Sequence, residues 1–180
     1  MALLPIISIP DPRLRAKALP VDQVDDGIRH LMDDMMETMR YKDRGIGLAA
    51  NQVGILKRVV VIDIGRDYHP HPLKMANPEI FWRSDEPHSI EESCLSIPDQ
   101  WASVKRHNRV KVRYLNENNV SQEIEAEGLL SICLQHELDH LDGILFIDHL
   151  SEVKRRMLVT RALKAKRNHQ HPQPDNVPVL

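Results

Sequence analysis

Apolar side chains recur at helical spacing between Val24 and Tyr41, where Ile28, Leu31, Met32, Met35, Met36 and Met39 stand among aspartate, glutamate and arginine. Positions three and four apart share one face of a helix, so this pattern predicts an amphipathic helix with its methionines in the core. The next apolar run, Arg58-Val59-Val60-Val61-Ile62-Asp63, is short and β-branched, and predicts a buried strand. From Gly65 to His88 the chain is rich in Pro, His and Asp, which predicts loop with one short strand ending at Ile80-Phe81-Trp82. Alternation then returns in Arg109–Leu115 and Val120–Ala126, and Asn116-Glu117-Asn118-Asn119 between them completes a β-hairpin. A second helix is expected over Glu127–Leu141, stopped by Gly143. Leu129, Ile132, Cys133, His136 and His140 fall on one of its faces, with Leu130, Leu134, Leu138 and Leu141 opposite. A helix apolar on both sides belongs in the middle of a protein.

The segment Gly45-Ile46-Gly47-Leu48-Ala49-Ala50-Asn51-Gln52 superficially fits a dinucleotide fingerprint at Gly45, Gly47 and Ala50. That fingerprint follows a strand and opens a helix, whereas this segment follows a helix and leads to a strand, so nucleotide binding is discarded. Small residues here instead suit close approach of another backbone, whether by tight packing or by an extended peptide. From Ser151 onward Lys154, Arg155, Arg156, Arg161, Lys164, Lys166 and Arg167 oppose a single acid, Glu152, until Pro172, Pro174 and Pro178 end regular structure. The expectation is a body over 1–150, a basic C-terminal helix over 151–168 and a disordered tail over 169–180. Such a helix is either a solvated face or a footprint for RNA phosphate.

A chain of 180 residues suffices for one core, and it offers no second hydrophobic block. An apolar fraction of 42% and a charged fraction of 28% are ordinary for a soluble protein, and a net charge of -2 argues against nucleic-acid binding, DNA included, by the body as a whole. No apolar run reaches the length of a membrane span, and the first residues lack the pattern of a signal peptide. The reading is therefore a cytoplasmic protein with no membrane contact. Two cysteines are too few for a disulfide scaffold, which leaves Cys94 and Cys133 as free thiols or metal ligands. His69 and His71, interleaved with prolines, read as a solvated loop.

The run Gln135-His136-Glu137-Leu138-Asp139-His140 adds chemistry to the second helix. Two imidazoles four residues apart share a helix face and can grip one divalent metal, with Glu137 within reach of water at that metal. A catalytic metal needs three protein ligands and one open position. Downstream, HExxHxxGxxH is matched as far as Phe146, which cannot bind metal, and Glu152 stands in a basic segment. Upstream lies Glu91-Glu92-Ser93-Cys94-Leu95-Ser96-Ile97-Pro98, and a thiolate beside two imidazoles suits zinc or ferrous iron. A cysteine such as Cys94, taken alone, is more often a small buried hydrophobe. An HExxH helix without another ligand favours ligation.

Three motifs in this order resemble those of the peptide deformylases: GIGLAANQ at 45–52, ESCLS at 92–96 and QHELDH at 135–140, with Ile9-Pro10-Asp11-Pro12-Arg13-Leu14-Arg15 similar to the family's beginning. The resemblance implies an α+β fold, with antiparallel β-sheets surrounding the central HExxH helix, an N-terminal helix and a C-terminal helix. It implies one ferrous iron per chain on Cys94, His136 and His140, replaceable by zinc, nickel or cobalt. It also implies removal of the formyl group from N-terminal formylmethionine of new polypeptides. Glu137 is then the proton carrier, and the Gln52 amide and Leu95 N–H are donors to the developing oxyanion. Ile90, Leu129, Ile132 and Cys133 form the methionine pocket, Ile46 and Gly47 pair with the peptide backbone, and Glu92 with Arg106 braces the cysteine segment. The partners implied are a nascent formylated polypeptide and, through the basic helix, the ribosome, with the protein a monomer. Ser93 stands where the family usually has glycine, and Trp101 and Arg44 replace a common arginine and glutamate at the cleft rim. Rival readings are an endoprotease using the same metal and a noncatalytic metal-stabilised binding protein.

Overall fold

The computed structural model describes residues 2–41, 45–65, 69 and 71–170, with side chains described as far as residue 166. The fold is α+β. Helix α1 spans Asp26–Tyr41, and the Asp25 carboxylate accepts from the Ile28 N–H at 2.9 Å, capping the start two residues after the sequence-based estimate. Its methionines Met32, Met35, Met36 and Met39 are buried against Leu48, Val59 and Val61, so this face is core. The N-terminal residues run along α1, where the Leu4 N–H donates to Thr38 Oγ1 at 2.9 Å.

Five antiparallel strands form the main sheet in the order β1-β2-β3-β6-β7: β1 Gly47–Ala49, β2 Val59–Ile62, β3 Leu73–Arg83, β6 Arg109–Leu115 and β7 Ser121–Glu127. The expected hairpin is present as β6 and β7, paired from Arg109 with Glu127 to Leu115 with Ser121. The segment read as loop with one short strand is corrected in extent: that strand is the eleven-residue β3, and a further strand begins at Pro87. Its alternation is masked because Asn77, at φ 49°, and Pro78 interrupt the ladder, with register shifts between Ala76 and Glu79 and between Ile80 and Trp82. Strands β4 (Pro87–Cys94) and β5 (Ile97–His107) make a separate two-stranded hairpin, and Leu95-Ser96 is its turn. His71 is exposed and its carbonyl lies 2.5 Å from His69 Nδ1, an arrangement of loop groups.

Helix α2, Gly128–Leu141, fills the centre and touches β1, β2, β5, β6 and β7. Gly128, at φ 58°, turns the chain out of β7, a conformation that costs glycine little. Leu130, Cys133, Leu134 and Leu141 pack with Val60, Ile62, Val110 and Val112 of the sheet. A 3-10 turn at Phe146–His149 follows, then helix α3 at Glu152–Gln170, longer than expected by sequence. The remainder of the expected tail, 171–180, lies outside the described residues, as does Arg44. Leu158 and Ala162 of α3 join Ile97, Val104 and Phe146 in one core cluster, so the helix is docked on the body.

Met35 is fully buried. Met35→Ala is expected to lower the unfolding free energy by about 2–5 kcal/mol through lost transfer energy and a residual cavity, as read from the urea midpoint at constant slope.

Candidate metal centre

Burial of α2 on nearly every side carries its polar residues inward: His136, Glu137 and His140 are 8%, 4% and 1% exposed. The imidazoles lie one turn apart with ring centroids separated by 5.0 Å. Strand β4 ends on Cys94, where a bulge after Glu92 and the pairing of Cys94 with Ile97 turn the thiol toward the helix. Cys94 Sγ reaches 3.1 Å from His140 Nε2, and one atom each of Cys94, His136 and His140 all lie within 4.8 Å of one another. One sulfur and two imidazole nitrogens converging in this way form a donor set suited to zinc or ferrous iron.

The electrostatics fit a cation there. Burial opposes protonation of His136, but Cys94 and Glu92 outweigh it and hold the pKa well above the usual histidine range. Burial, reinforced by repulsion from His136, pushes His140 well below that range. The thiol and the Glu92 carboxylate draw positive charge to this point, while His140 is kept in the neutral form that a ligand needs. Glu92 accepts from His136 Nδ1 at 2.8 Å, leaving the other ring nitrogen free to face Cys94. Burial alone would raise Glu92, yet His136 and the Arg106 guanidinium hold it at about 2. Arg106 grips it through two bonds of 2.7 and 3.0 Å.

Glu137 occupies the inner edge of this centre. Burial pushes its carboxyl up to about 7 despite the opposing charge of His136, and its Oε2 is buried with no hydrogen-bond partner among the described residues. A Cβ on Gly47 would collide with Glu137 Oε1 and come within 2.8 Å of Cys133 Sγ, so only glycine brings β1 this close. The small-residue segment thus serves a close approach. Gln52, 1% exposed, stands in the 3-10 turn Ala50–Val53 after β1. Its carbonyl accepts from the Ala49 N–H at 2.8 Å, while Nε2 donates to Ser96 Oγ at 3.3 Å and lies 3.5 Å from Cys94 Sγ. Cys94, His136, His140, Glu137, Gln52, Glu92 and Arg106 are therefore brought together. Leu95 follows Cys94 in the hairpin turn and is half-buried. Ile132 and Cys133 are buried, Leu129 and Ile90 half-buried, and Ile46 is 38% exposed at the head of β1. Ser93 and Trp101 face outward. A cavity of about 630 Å³ lined by Asp33, Glu37, Arg40 and Lys74 contains none of these side chains.

Several residues near the centre were given no role in it by the sequence, and the two rejected as ligands stand as follows. Phe146, rejected as a ligand, stacks near His136 with centroids 6.2 Å apart and an interplanar angle of 24°. Glu152 is exposed and paired with Arg156 on α3. Ser96 is fully buried, and its N–H donates to Cys94 Sγ at 3.4 Å. Asn51 Nδ2 donates to the His140 carbonyl. Asp139 turns from the metal face to Arg106 Nη1 at 2.5 Å and His149 Nε2 at 2.7 Å. Its place inside QHELDH was a signal in the sequence, but nothing local named Arg106 or His149 as its partners.

Known proteins share both sequence and architecture with this chain. A family model described as polypeptide deformylase matches residues 3–156. The peptide deformylase of Phenylobacterium zucineum is 49% identical over 165 residues, 91% of this chain and 97% of that protein. That of Bartonella tribocorum is 50% identical over 91% of this chain and 93% of its own length. Among solved structures, the peptide deformylase from Ehrlichia chaffeensis superposes with a TM-score of 0.89 at 37% identity, covering 94% of this chain and 99% of that one. The same enzyme in complex with actinonin gives 0.88 at 39% identity, covering 93% and 99%. With the three motifs gathered around one donor set and the match running from the N-terminal segment into α3, the chain belongs to the polypeptide deformylase family.

Proposed function

We propose that the protein removes the formyl group from N-terminal formylmethionine of newly made polypeptides, releasing formate and a free amine. The observation that carries this reading is the Cys94–His136–His140 donor set with the buried, unpartnered carboxylate oxygen of Glu137 beside it. A divalent ion held by these three residues, ferrous iron with zinc, nickel or cobalt able to substitute, polarises a carbonyl and lowers the pKa of bound water toward about 7.

The chain's own groups do the rest. Glu137 accepts the proton of the attacking water and returns it to the departing amine, a task suited to a carboxyl that burial holds at about 7. The Gln52 Nε2–H and the Leu95 backbone N–H donate to the formyl oxygen as negative charge builds there. Gln52 is prepositioned for this because its carbonyl is tied to the Ala49 N–H, which fixes the direction of the amide. Glu92 and Arg106 hold the His136 ring.

Substrate is held by the free edge of β1. That strand lies at the end of the sheet with β2 on one side only, so Ile46 and Gly47 can pair with an extended peptide. Ile90, Leu129, Ile132 and Cys133 form the apolar wall for the methionine side chain. The protein acts as a monomer in the cytoplasm, with residues 1–150 as the catalytic body and α3 as a basic accessory helix facing ribosomal RNA phosphate. Among the described residues no helix is long and apolar enough to cross a membrane.

Glu137→Ala is expected to cut formate release from formyl-Met-Ala-Ser by about 100-fold or more while the metal content stays that of the parent; turnover equal to the parent would sink the assignment. Gln52→Ala is expected to lower kcat by about 100- to 1000-fold with little change in KM, and an effect on KM alone would place Gln52 in binding instead. Lys154, Arg161 and Lys164 are exposed on α3, clear of the buried Leu158 and Ala162. Their combined exchange to Glu is expected to abolish cosedimentation with ribosomes while leaving hydrolysis of the short peptide intact. Undiminished pelleting removes the helix from ribosome binding.

A further inference from the structure

The network behind His136 does not stop at Arg106. From the imidazole it runs from Nδ1 to Glu92, through the Arg106 guanidinium to Asp139 Oδ2, and from there to His149 Nε2. Four separate elements supply it: α2, β4, β5 and the 3-10 turn Phe146–His149. Arg106 and Glu92 side chains are each 4% exposed, Asp139 is 22% exposed, and His149 at 35% is the end of the chain that meets solvent.

We infer that His149 is a positioning residue for the metal centre, acting on His136 through Asp139, Arg106 and Glu92; this rests on the metal-site reading above. Asp139 Oδ2 receives Arg106 Nη1 at 2.5 Å and His149 Nε2 at 2.7 Å, so two donors converge on one oxygen. A carboxylate paired with arginine only accepts, which places the hydrogen on His149 Nε2. Arg106 Nη1 lies 3.2 Å from that same nitrogen. With His149 in place Asp139 is held from two sides, and Arg106 is free to keep its two-pronged grip on Glu92. Without it, Arg106 is the remaining donor to Oδ2, and the guanidinium can be drawn off the carboxylate that orients His136.

A second observation points the same way. The turn that carries His149 also carries Phe146, whose ring stacks near that of His136 with centroids 6.2 Å apart. The turn is itself pinned: Asp148 accepts from the Leu145 N–H at 2.8 Å and pairs with Arg15. One short segment therefore bears on His136 twice, by apolar contact with the ring and by hydrogen bonding through the charged network. Partners behind a ligating histidine set its tautomer and direction, and their loss weakens metal binding. His149 is the third side chain beyond Glu92, so a smaller share of that effect falls to it.

The test uses the full chain loaded with Co²⁺, whose visible absorption reports ligand geometry, in parent, His149→Ala and His149→Gln. Glutamine keeps an N–H donor near the position of Nε2. Expected for His149→Ala is a shifted cobalt spectrum and release of metal to a chelator about 3- to 10-fold faster than the parent, with His149→Gln restored toward the parent on both. The thermal midpoint of the metal-free proteins is measured alongside. A merely structural histidine would lower the metal-free midpoint in both variants and leave the spectrum unmoved, and that pattern overturns the inference. Parent-like release and spectrum in His149→Ala overturn it as well. A parent that fails to take up cobalt overturns the metal-site reading itself, and the inference with it.

Discussion

Placing His136 against Glu92 puts a carboxylate inside the protein, and a buried charge without a partner costs several kcal/mol. Arg106 supplies the partner, with both side chains 4% exposed and two hydrogen bonds between them. The rest of the centre depends on this pair. Glu92 belongs to β4 and Arg106 to β5, which form a hairpin outside the five-stranded sheet, while Asp139 and His136 belong to α2. One guanidinium therefore ties the hairpin to the helix through Glu92 and Asp139 at once. That tie sets how far Cys94, at the tip of the hairpin, stands from His140. A buried ion pair of this kind contributes little net stability over an apolar substitute. Its contribution is geometric.

A steric limit works from the opposite side. Gly47 admits Glu137 and Cys133 into space that any side chain would occupy, which lets an edge strand lie directly against the metal helix. The same closeness dries Glu137, and drying is what moves its carboxyl to about 7. Packing of α2 and the acid–base character of Glu137 are thus one fact seen at two levels. Gln52, in the turn after β1, enters the centre by the same approach and is held by the Ala49 N–H and Ser96.

Much of the fold was legible where hydrophobic periodicity is undisturbed. The methionine stripe of α1, the apolar girth of α2 and the β6–β7 alternation each read at the period of the element they form. Only the end of strand β3 was legible, at Ile80-Phe81-Trp82, because Asn77 and Pro78 break its ladder and its outer half is exposed, with Arg113 over Phe81 and Lys111 over Trp82 in place of core. The length of β5 was hidden for a related reason. Its outward positions carry Trp101, Ser103 and Lys105, so the segment shows a strand's alternation without a strand's composition. Within the centre, the helix spacing alone paired His136 with His140. Cys94 was reachable only by asking which ligand was missing and by the resemblance of its motif.

By itself the sequence determined the groups that are local in it: two imidazoles one turn apart, a carboxylate beside them, a glycine where a backbone must approach, and an apolar helix that has to be buried. These follow from the helical period and from side-chain size, which hold wherever the helix sits. Tertiary structure decided which distant groups meet them. It bent β4 at a bulge to bring the Cys94 thiol 3.1 Å from His140, and it closed the route from Glu92 through Arg106 and Asp139 to His149. Those contacts join residues from 10 to 46 positions apart, across which no periodicity carries information. They exist because buried charges must find partners wherever the packed elements leave them within reach.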